Sequence, residues 1–343
     1  MRILIVSDAW APQVNGVVTS LQALVSELRA MGHLVKLLSP QDFRRLPCPS
    51  YPEIPLAWDL WRVGPAIREF RPDCVHLATE GPLGWAARRW LKRRGLAFSS
   101  AIHTRFPEYV HTRWPRVPLR WGYAYLRRFH RPSQAVLVST ERLREEFASH
   151  GLRHLRLWHK GVDTGLFRAR PREAGEPVFL YVGRLAAEKN LRAFLELELP
   201  GRKCLVGDGP QRAELQRDYP QAQFLGYLSG EALAAQFAAA SVLVFPSRTD
   251  TLGLVMLEAL ACGTPVAAFP VAGPLDVLQA GVTGVMDEDL AQACRAALQL
   301  DRAICAEQAA RQSWRASALE FLASQALLDG EPLAQEDWLP AQA

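Results

Sequence analysis

Short apolar runs alternate with longer stretches of helical spacing along most of the chain. Ile3-Leu4-Ile5-Val6 is the first run, and a loop from Asp8 to Gly16 follows it, carrying the turn-forming residues Pro12, Asn15 and Gly16. Between Val17 and Met31 the positions Val17, Leu21, Leu24, Val25 and Leu28 recur at the helical period and share one face. Gly32 ends this helix, and Leu34-Val35-Lys36-Leu37-Leu38 reads as the next strand. Strand, helix and strand in this succession predict a parallel sheet. Further apolar runs at 74–77 and 135–138, each followed by a polar turn and a helical stretch, extend it into an open doubly wound sheet.

The pattern restarts after Pro171. Runs at 177–183, 204–207, 223–226, 242–246 and 265–269 alternate with helical stretches and predict a second doubly wound α/β domain. Residues 164–177, with Pro, Gly and charges, read as the connection. The expected division is an N-terminal domain over 1–165, a C-terminal domain over 176–312, and a final piece over 313–343 that packs back toward the first. In that piece Trp314 to Leu328 is amphipathic, and the polar tail from Asp329 is expected to fray.

Composition agrees with this division. A chain of 343 residues is long enough for two domains of about 100–200 residues each. No stretch reaches the roughly 18 apolar residues a membrane span needs, and the first residues read as a strand rather than a signal peptide. Cys48, Cys74, Cys204, Cys262, Cys294 and Cys305 are scattered, with no C-x-x-C pair or Cys/His cluster, so reduced cytoplasmic thiols and no zinc site are expected. Charge is uneven. Residues 1–170 carry 27 Lys and Arg against 13 Asp and Glu, whereas residues 171–343 carry 13 against 22. The basic first half is the half that would meet an anionic surface.

Four segments carry candidate chemistry. The longest runs from Phe245 through Asp250, Gly253 and Glu258 to Val266, in the order strand, polar loop, helix, Gly, strand. A helix starting near Gly253 would offer its first amides, from Gly253 through Leu254 and Val255 to Met256, as an anion site. Asp250 and Glu258, eight residues apart, could accept hydrogen bonds from sugar hydroxyls; they could equally be a helix cap and a solvated charge. In Tyr181-Val182-Gly183-Arg184-Leu185-Ala186-Ala187-Glu188-Lys189-Asn190, Arg184 and Lys189 stand beside a strand end, where two cations could clamp a diphosphate or simply be solvated. The loop ending at Asn15-Gly16 has a free backbone near the first strand but lacks G-x-G-x-x-G, so it does not support NAD binding. His103, in Ser99-Ser100-Ala101-Ile102-His103-Thr104-Arg105-Phe106-Pro107-Glu108-Tyr109, sits where a strand would end and is either a site residue or a structural histidine.

In this order the four segments resemble the retaining GT-B glycosyltransferases of family four, over about residues 1–325. His103 to Tyr109 and Trp158-His159-Lys160-Gly161-Val162-Asp163-Thr164 look most like the lipid-directed mannosyl- and sulfoquinovosyltransferase-like members. The resemblance implies two Rossmann-like domains facing across a cleft and transfer of a hexose from a UDP- or GDP-linked donor. It implies no cofactor and no metal. It further implies that Gly16 approaches phosphates or acceptor through its backbone, and that His103 lines the reaction centre and bonds the donor sugar. Arg184 and Lys189 would bind the diphosphate, Asp250 the sugar hydroxyls, the amides of Leu254 and Val255 the phosphates, and Glu258 the ribose. Asp250 stands where the family usually has Glu, one methylene longer.

The positive charge of the first half concentrates in two stretches, from Trp85 to Arg94 and from Arg113 to Arg131, where Trp and Tyr interleave with Arg. That mixture suits an anionic membrane surface. It would also suit a nucleic acid or a solvated helix face, but the acidic second half argues against a nucleic-acid channel. The expectation is an enzyme in the cytoplasm, peripherally attached to the inner face of the cell membrane and acting on a lipid or lipid-linked acceptor. The alternatives are a soluble sugar or polyol acceptor, and a non-catalytic nucleotide-sugar- or nucleic-acid-binding protein.

Overall fold

The computed structural model describes the chain except residues 14, 49–50, 115, 173–174, 251 and 329–343. The tail expected to fray lies outside the described residues. The chain forms two compact units. One comprises Met1–Lys160 together with the described residues from Trp314 onward, and the other Gly161–Ser313. The division falls at Lys160 rather than at residue 165. Val162 bridges to Ser313, and Val162 and Phe167 are buried in the core of the second unit, so this segment belongs there by packing.

The first unit is built on six parallel strands, Arg2–Val6, Leu34–Leu38, Cys74–Leu77, Ser99–Ala101, Ala135–Val138 and Leu155–Leu157. Numbered along the chain, they lie in the order 2-1-3-4-5-6. Runs such as Ala135–Val138 are buried throughout, as strands covered on both faces must be. The helix Gly16–Ala30 lays Leu21, Leu24, Val25 and Leu28 against one face, with Val17 partly buried beside them. The helix Trp314–Ala323 joins that layer through Ala318, Phe321 and Leu322, next to Trp158. Outside the sheet, Arg45–Cys48 and Tyr51–Ala57 form an antiparallel hairpin that the apolar pattern does not predict.

The second unit repeats the plan. Its strands are Val178–Val182, Arg202–Val206, Gln223–Gly226, Val242–Phe245, Val266–Ala268 and Gly284–Met286, all parallel, in the order 3-2-1-4-5-6. This is the strand order of dinucleotide-binding sheets, with its crevice between the first and fourth strands. One core lies on each face, around Phe237, Met256 and Leu260 on one side and around Phe179, Phe194 and Cys294 on the other.

Candidate functional site

Two loops leave the carboxyl ends of Val178–Val182 and Val242–Phe245, the neighbouring strands between which the second sheet reverses order. Open α/β sheets take ligands at this point. The first loop carries Arg184 and Lys189, the second Asp250.

The first loop is held by its own backbone. Gly183 turns it at φ 153°, and the Gly183 and Leu185 amides donate to Val206 O and Asp208 O at 3.0 and 2.9 Å. The Tyr181 hydroxyl donates to Arg184 O at 2.9 Å. Arg184 is thereby fixed at its backbone while its side chain stays exposed. Residues Ala187–Lys189 make one 3-10 turn, closed by Asn190 in the left-handed region at φ 55°. The Asn190 side chain donates from Nδ2 to Pro246 O at 3.2 Å and so latches the first loop to the second. The Thr249 hydroxyl, 3.4 Å from Glu188 O, adds to the latch.

Lys189 Nζ donates to both carboxylate oxygens of Asp250, at 2.6 and 2.9 Å, and each side chain is about a quarter exposed. Spacing alone assigned these residues to different ligand groups; the fold makes them one unit. A phosphate approaching Lys189 meets a cation already oriented, and a hydroxyl approaching Asp250 meets a carboxylate whose charge is balanced.

The second loop ends at Gly253, which caps the helix Leu254–Ala261 at φ 77°. A Cβ at Gly253 would lie 2.7 Å from the Phe245 ring. The Met256 amide donates to Gly253 O at 2.9 Å, so the helical ladder is already engaged there. Among the described residues the amides of Leu254 and Val255 have no backbone acceptor, and they stand at the positive end of the helix. Glu258 lies one turn further on, mostly buried, with no side-chain partner among the described residues. Burial pushes its carboxyl up to about 7.

This makes Glu258 a test of stability against pH. Its folded pKa lies above its unfolded value, so the contribution is complete below pH 4.5 and is lost as pH rises through 7. At pH 8 the buried carboxylate costs on the order of 3 kcal/mol. E258Q is therefore expected to melt at a higher temperature than the unmodified protein at pH 8 and at nearly the same temperature at pH 5. Calorimetric scans at the two pH values check this, and equal melting at pH 8 overturns it.

In the first unit the candidate residues stand as follows. Gly16 opens the helix Gly16–Ala30, exposed, with Asn15 Oδ1 accepting from the Val17 and Val18 amides at 3.1 and 3.0 Å. Asp8, in the same loop, accepts from the Leu83 and Gly84 amides at 2.9 and 3.3 Å and thus caps the helix Pro82–Lys92. His103 follows the strand Ser99–Ala101 and meets the Trp158 indole edge-on, with centroids 5.7 Å apart. Burial first, then Lys160 and His76, hold its pKa well below the usual histidine range. The imidazole is neutral at physiological pH and suited to hydrogen bonding an uncharged hydroxyl.

Sequence reasoning passed over two groups. The Gly207-Asp208-Gly209 turn supports the Arg184 loop, and its Gly-Asp-Gly-Pro signature was readable. Lys160 is buried beside Trp158, which its polarity gave no reason to expect.

The two basic stretches divide by exposure. Trp85 Nε1 donates to the Tyr125 hydroxyl at 2.8 Å and Arg88 Nε to Phe129 O at 2.7 Å, so these side chains join the helices Pro82–Lys92 and Leu119–His130 to each other. Trp121, Trp114 and Leu119 are 61%, 45% and 39% exposed, and Arg116, Arg120, Arg127, Arg128 and Arg131 are exposed around them. No helix among the described residues is long and apolar enough to cross a membrane.

Residues 14–166 match the model of Glycosyltransferase Family 4, and residues 176–300 that of Glycosyl transferases group 1. A GDP-mannose-dependent alpha-mannosyltransferase of Mycobacterium tuberculosis is 30% identical over 83% of this chain and 83% of its own length. The sulfoquinovosyl transferase SQD2 of Arabidopsis thaliana is 31% identical over 80% of this chain and 61% of its own. An alpha-monoglucosyldiacylglycerol synthase of Streptococcus pneumoniae is 27% identical over 78% and 71%. Among solved structures, a sucrose-phosphate synthase from Thermosynechococcus elongatus superposes with a TM-score of 0.76 at 21% identity, over 93% of this chain and 97% of that one. It shares the fold, GT-B.

Proposed function

Since the chain belongs to glycosyltransferase family 4 and is a sugar-transferring enzyme, we propose that it moves a hexose-type sugar, with retention of configuration, from a UDP- or GDP-linked donor to a hydroxyl of a membrane lipid or lipid-linked acceptor. The observation that carries this reading is the Lys189–Asp250 pair at the reversal point of the second sheet, beside the amides of Leu254 and Val255 at the positive end of their helix. Phosphate would sit on those amides and on Lys189 and Arg184. Sugar hydroxyls would bond Asp250, and a ribose hydroxyl would donate to Glu258. His103, neutral, would bond the donor sugar, and Gly16 would approach through its backbone.

In this mechanism the acceptor hydroxyl attacks the anomeric carbon on the face the leaving diphosphate departs from, and passes its proton to a departing phosphate oxygen. The barrier falls because the leaving group's growing charge meets two cations and a helix end already in place. GDP-mannose is the first donor to try, because the mannosyltransferase named above is similar over most of both chains. Incubation with labelled GDP-mannose, UDP-glucose and a bacterial lipid extract tests the reading: sugar appearing in the lipid phase supports it, and neither transfer nor donor hydrolysis with any common donor sinks it.

The lipid acceptor is supported by the name of the streptococcal relative and by the exposed Trp114, Leu119 and Trp121 among arginines. Such side chains dock a protein on an anionic bilayer from the cytoplasmic side, rings at headgroup depth and cations on the lipid charges. W114A/W121A is expected to bind vesicles of anionic phospholipid about tenfold more weakly in flotation assays, from the apolar area lost. Unchanged flotation of the double variant removes this surface from the reading.

A further inference from the structure

Lys160 follows the last strand of the first sheet, Leu155–Leu157, by way of Trp158 and His159. It is 7% exposed, and its Nζ is buried with no hydrogen-bond partner among the described residues. Nζ stands 3.0 Å above the centroid of the Trp158 ring. His103 and His76 meet the same indole edge-on, with centroids at 5.7 and 6.1 Å. The nearby carboxylate, Glu320, is engaged elsewhere, accepting from the His159 amide at 2.8 Å and facing His159 Nδ1 at 3.0 Å.

A buried amine with an aromatic face but no hydrogen-bond partner is incompletely compensated, and a methionine of similar length would fill the same space without that cost. A lysine is explicable here if something arrives to bond it. The carboxyl edge of an open sheet, where His103 and Lys160 both stand, is where ligands arrive.

We propose that Lys160 Nζ is an anion-binding group of the first unit, bonded when a phosphate-bearing ligand enters beside His103 at the carboxyl edge of the first sheet. This rests on reading the chain as a transferase with phosphate-bearing substrates. The phosphate can belong to the donor diphosphate or to a lipid headgroup.

Burial holds the amine well below the lysine range, against the attraction of Glu320. The other titratable groups facing it are His76 and His103, both held low by burial and by Lys160 itself, and His159, raised by its bond to Glu320. An arriving phosphate favours the ammonium form, so binding shifts Nζ toward the protonated state and draws protons from the solvent.

Titration calorimetry at pH 8 in two buffers of different ionisation enthalpy reads this uptake. GDP and UDP serve as probes in one arm, and water-soluble dihexanoyl phosphatidic acid in the other. With at least one probe, the unmodified protein is expected to take up protons on binding. K160M should bind that probe about tenfold or more weakly and take up none, because a charge-assisted bond is lost. K160M should also melt at a higher temperature than the unmodified protein. K160R, with a permanent cation, should bind without uptake; that contrast decides the matter if K160M does not fold.

Affinity and uptake in K160M equal to those of the unmodified protein for every probe overturn the proposal, as does binding of no probe at all. If K189A loses nucleotide binding while K160M keeps it and no Lys160-dependent uptake occurs with either arm, the transferase reading stands and Lys160 has no such role. If nucleotides fail to bind while phosphatidic acid draws a Lys160-dependent proton, the donor reading falls and this one stands.

Discussion

K189A is expected to lower kcat/KM for sugar transfer by about a thousandfold, the upper end for removing one donor aimed at developing charge. Two losses combine. The first is direct, since Lys189 is a cation already oriented at the crevice of the second sheet, and without it the departing diphosphate loses a partner. The second comes from Asp250. Its two oxygens are bonded by Lys189 Nζ at 2.6 and 2.9 Å, so removal leaves an uncompensated carboxylate where phosphate must bind. The second loss has its own signature. D250N in the K189A background relieves the repulsion, so the double variant should bind GDP or UDP more tightly than K189A alone, although transfer stays low. Kinetics with the active donor and calorimetry with the nucleotide measure the two quantities. A fall in kcat/KM of less than tenfold for K189A would remove Lys189 from the reaction centre.

That coupling marks the limit of what the sequence discloses. Arg184, Lys189 and Asp250 are legible as strand-end residues, because apolar runs ending in Gly or Pro fix where the strands stop. The ion pair is not legible. It joins positions 61 residues apart and depends on the strand Val178–Val182 lying beside Val242–Phe245 rather than beside another strand. Strand order is a property of the whole sheet, and no local pattern encodes it. The strands Leu34–Leu38, Cys74–Leu77, Ala135–Val138 and Gln223–Gly226 stand where the apolar runs put them. Leu155–Leu157 and Gly284–Met286, of three residues each, are too short for a period to declare itself. The hairpin of Arg45–Cys48 and Tyr51–Ala57 is hidden by Pro47, Pro52 and Pro55, since proline in a run argues against a strand unless the strand lies at an edge. Glu258 was legible as a helix residue, but not as a carboxyl lifted by burial, because depth depends on neighbours distant in the chain.

G207A is expected to cost about 3 kcal/mol or more in folding free energy and to weaken nucleotide binding with it. Gly207 adopts φ 135°, and a Cβ there would stand 1.9 Å from Gly183 O. The obstacle is backbone, so no side-chain rotation relieves it. Either Gly183 moves or the strand end carrying Gly207 does, and Gly183 N–H is bonded to Val206 O, the residue before Gly207. The displacement therefore passes into the loop that presents Arg184 and Lys189. Gly281 supplies the contrast within the same unit: its φ is 73°, and nothing lies within 4 Å of a Cβ placed on it. G281A pays only the left-handed backbone penalty, about 1–2 kcal/mol, and should leave nucleotide affinity unchanged. Urea unfolding gives the two stabilities, and nucleotide calorimetry on the folded variants gives the affinities. Equal losses for the two variants would show that the backbone angle alone is at work; a larger loss in G207A, together with weaker nucleotide binding, assigns the difference to the contact that seats the phosphate-side loop.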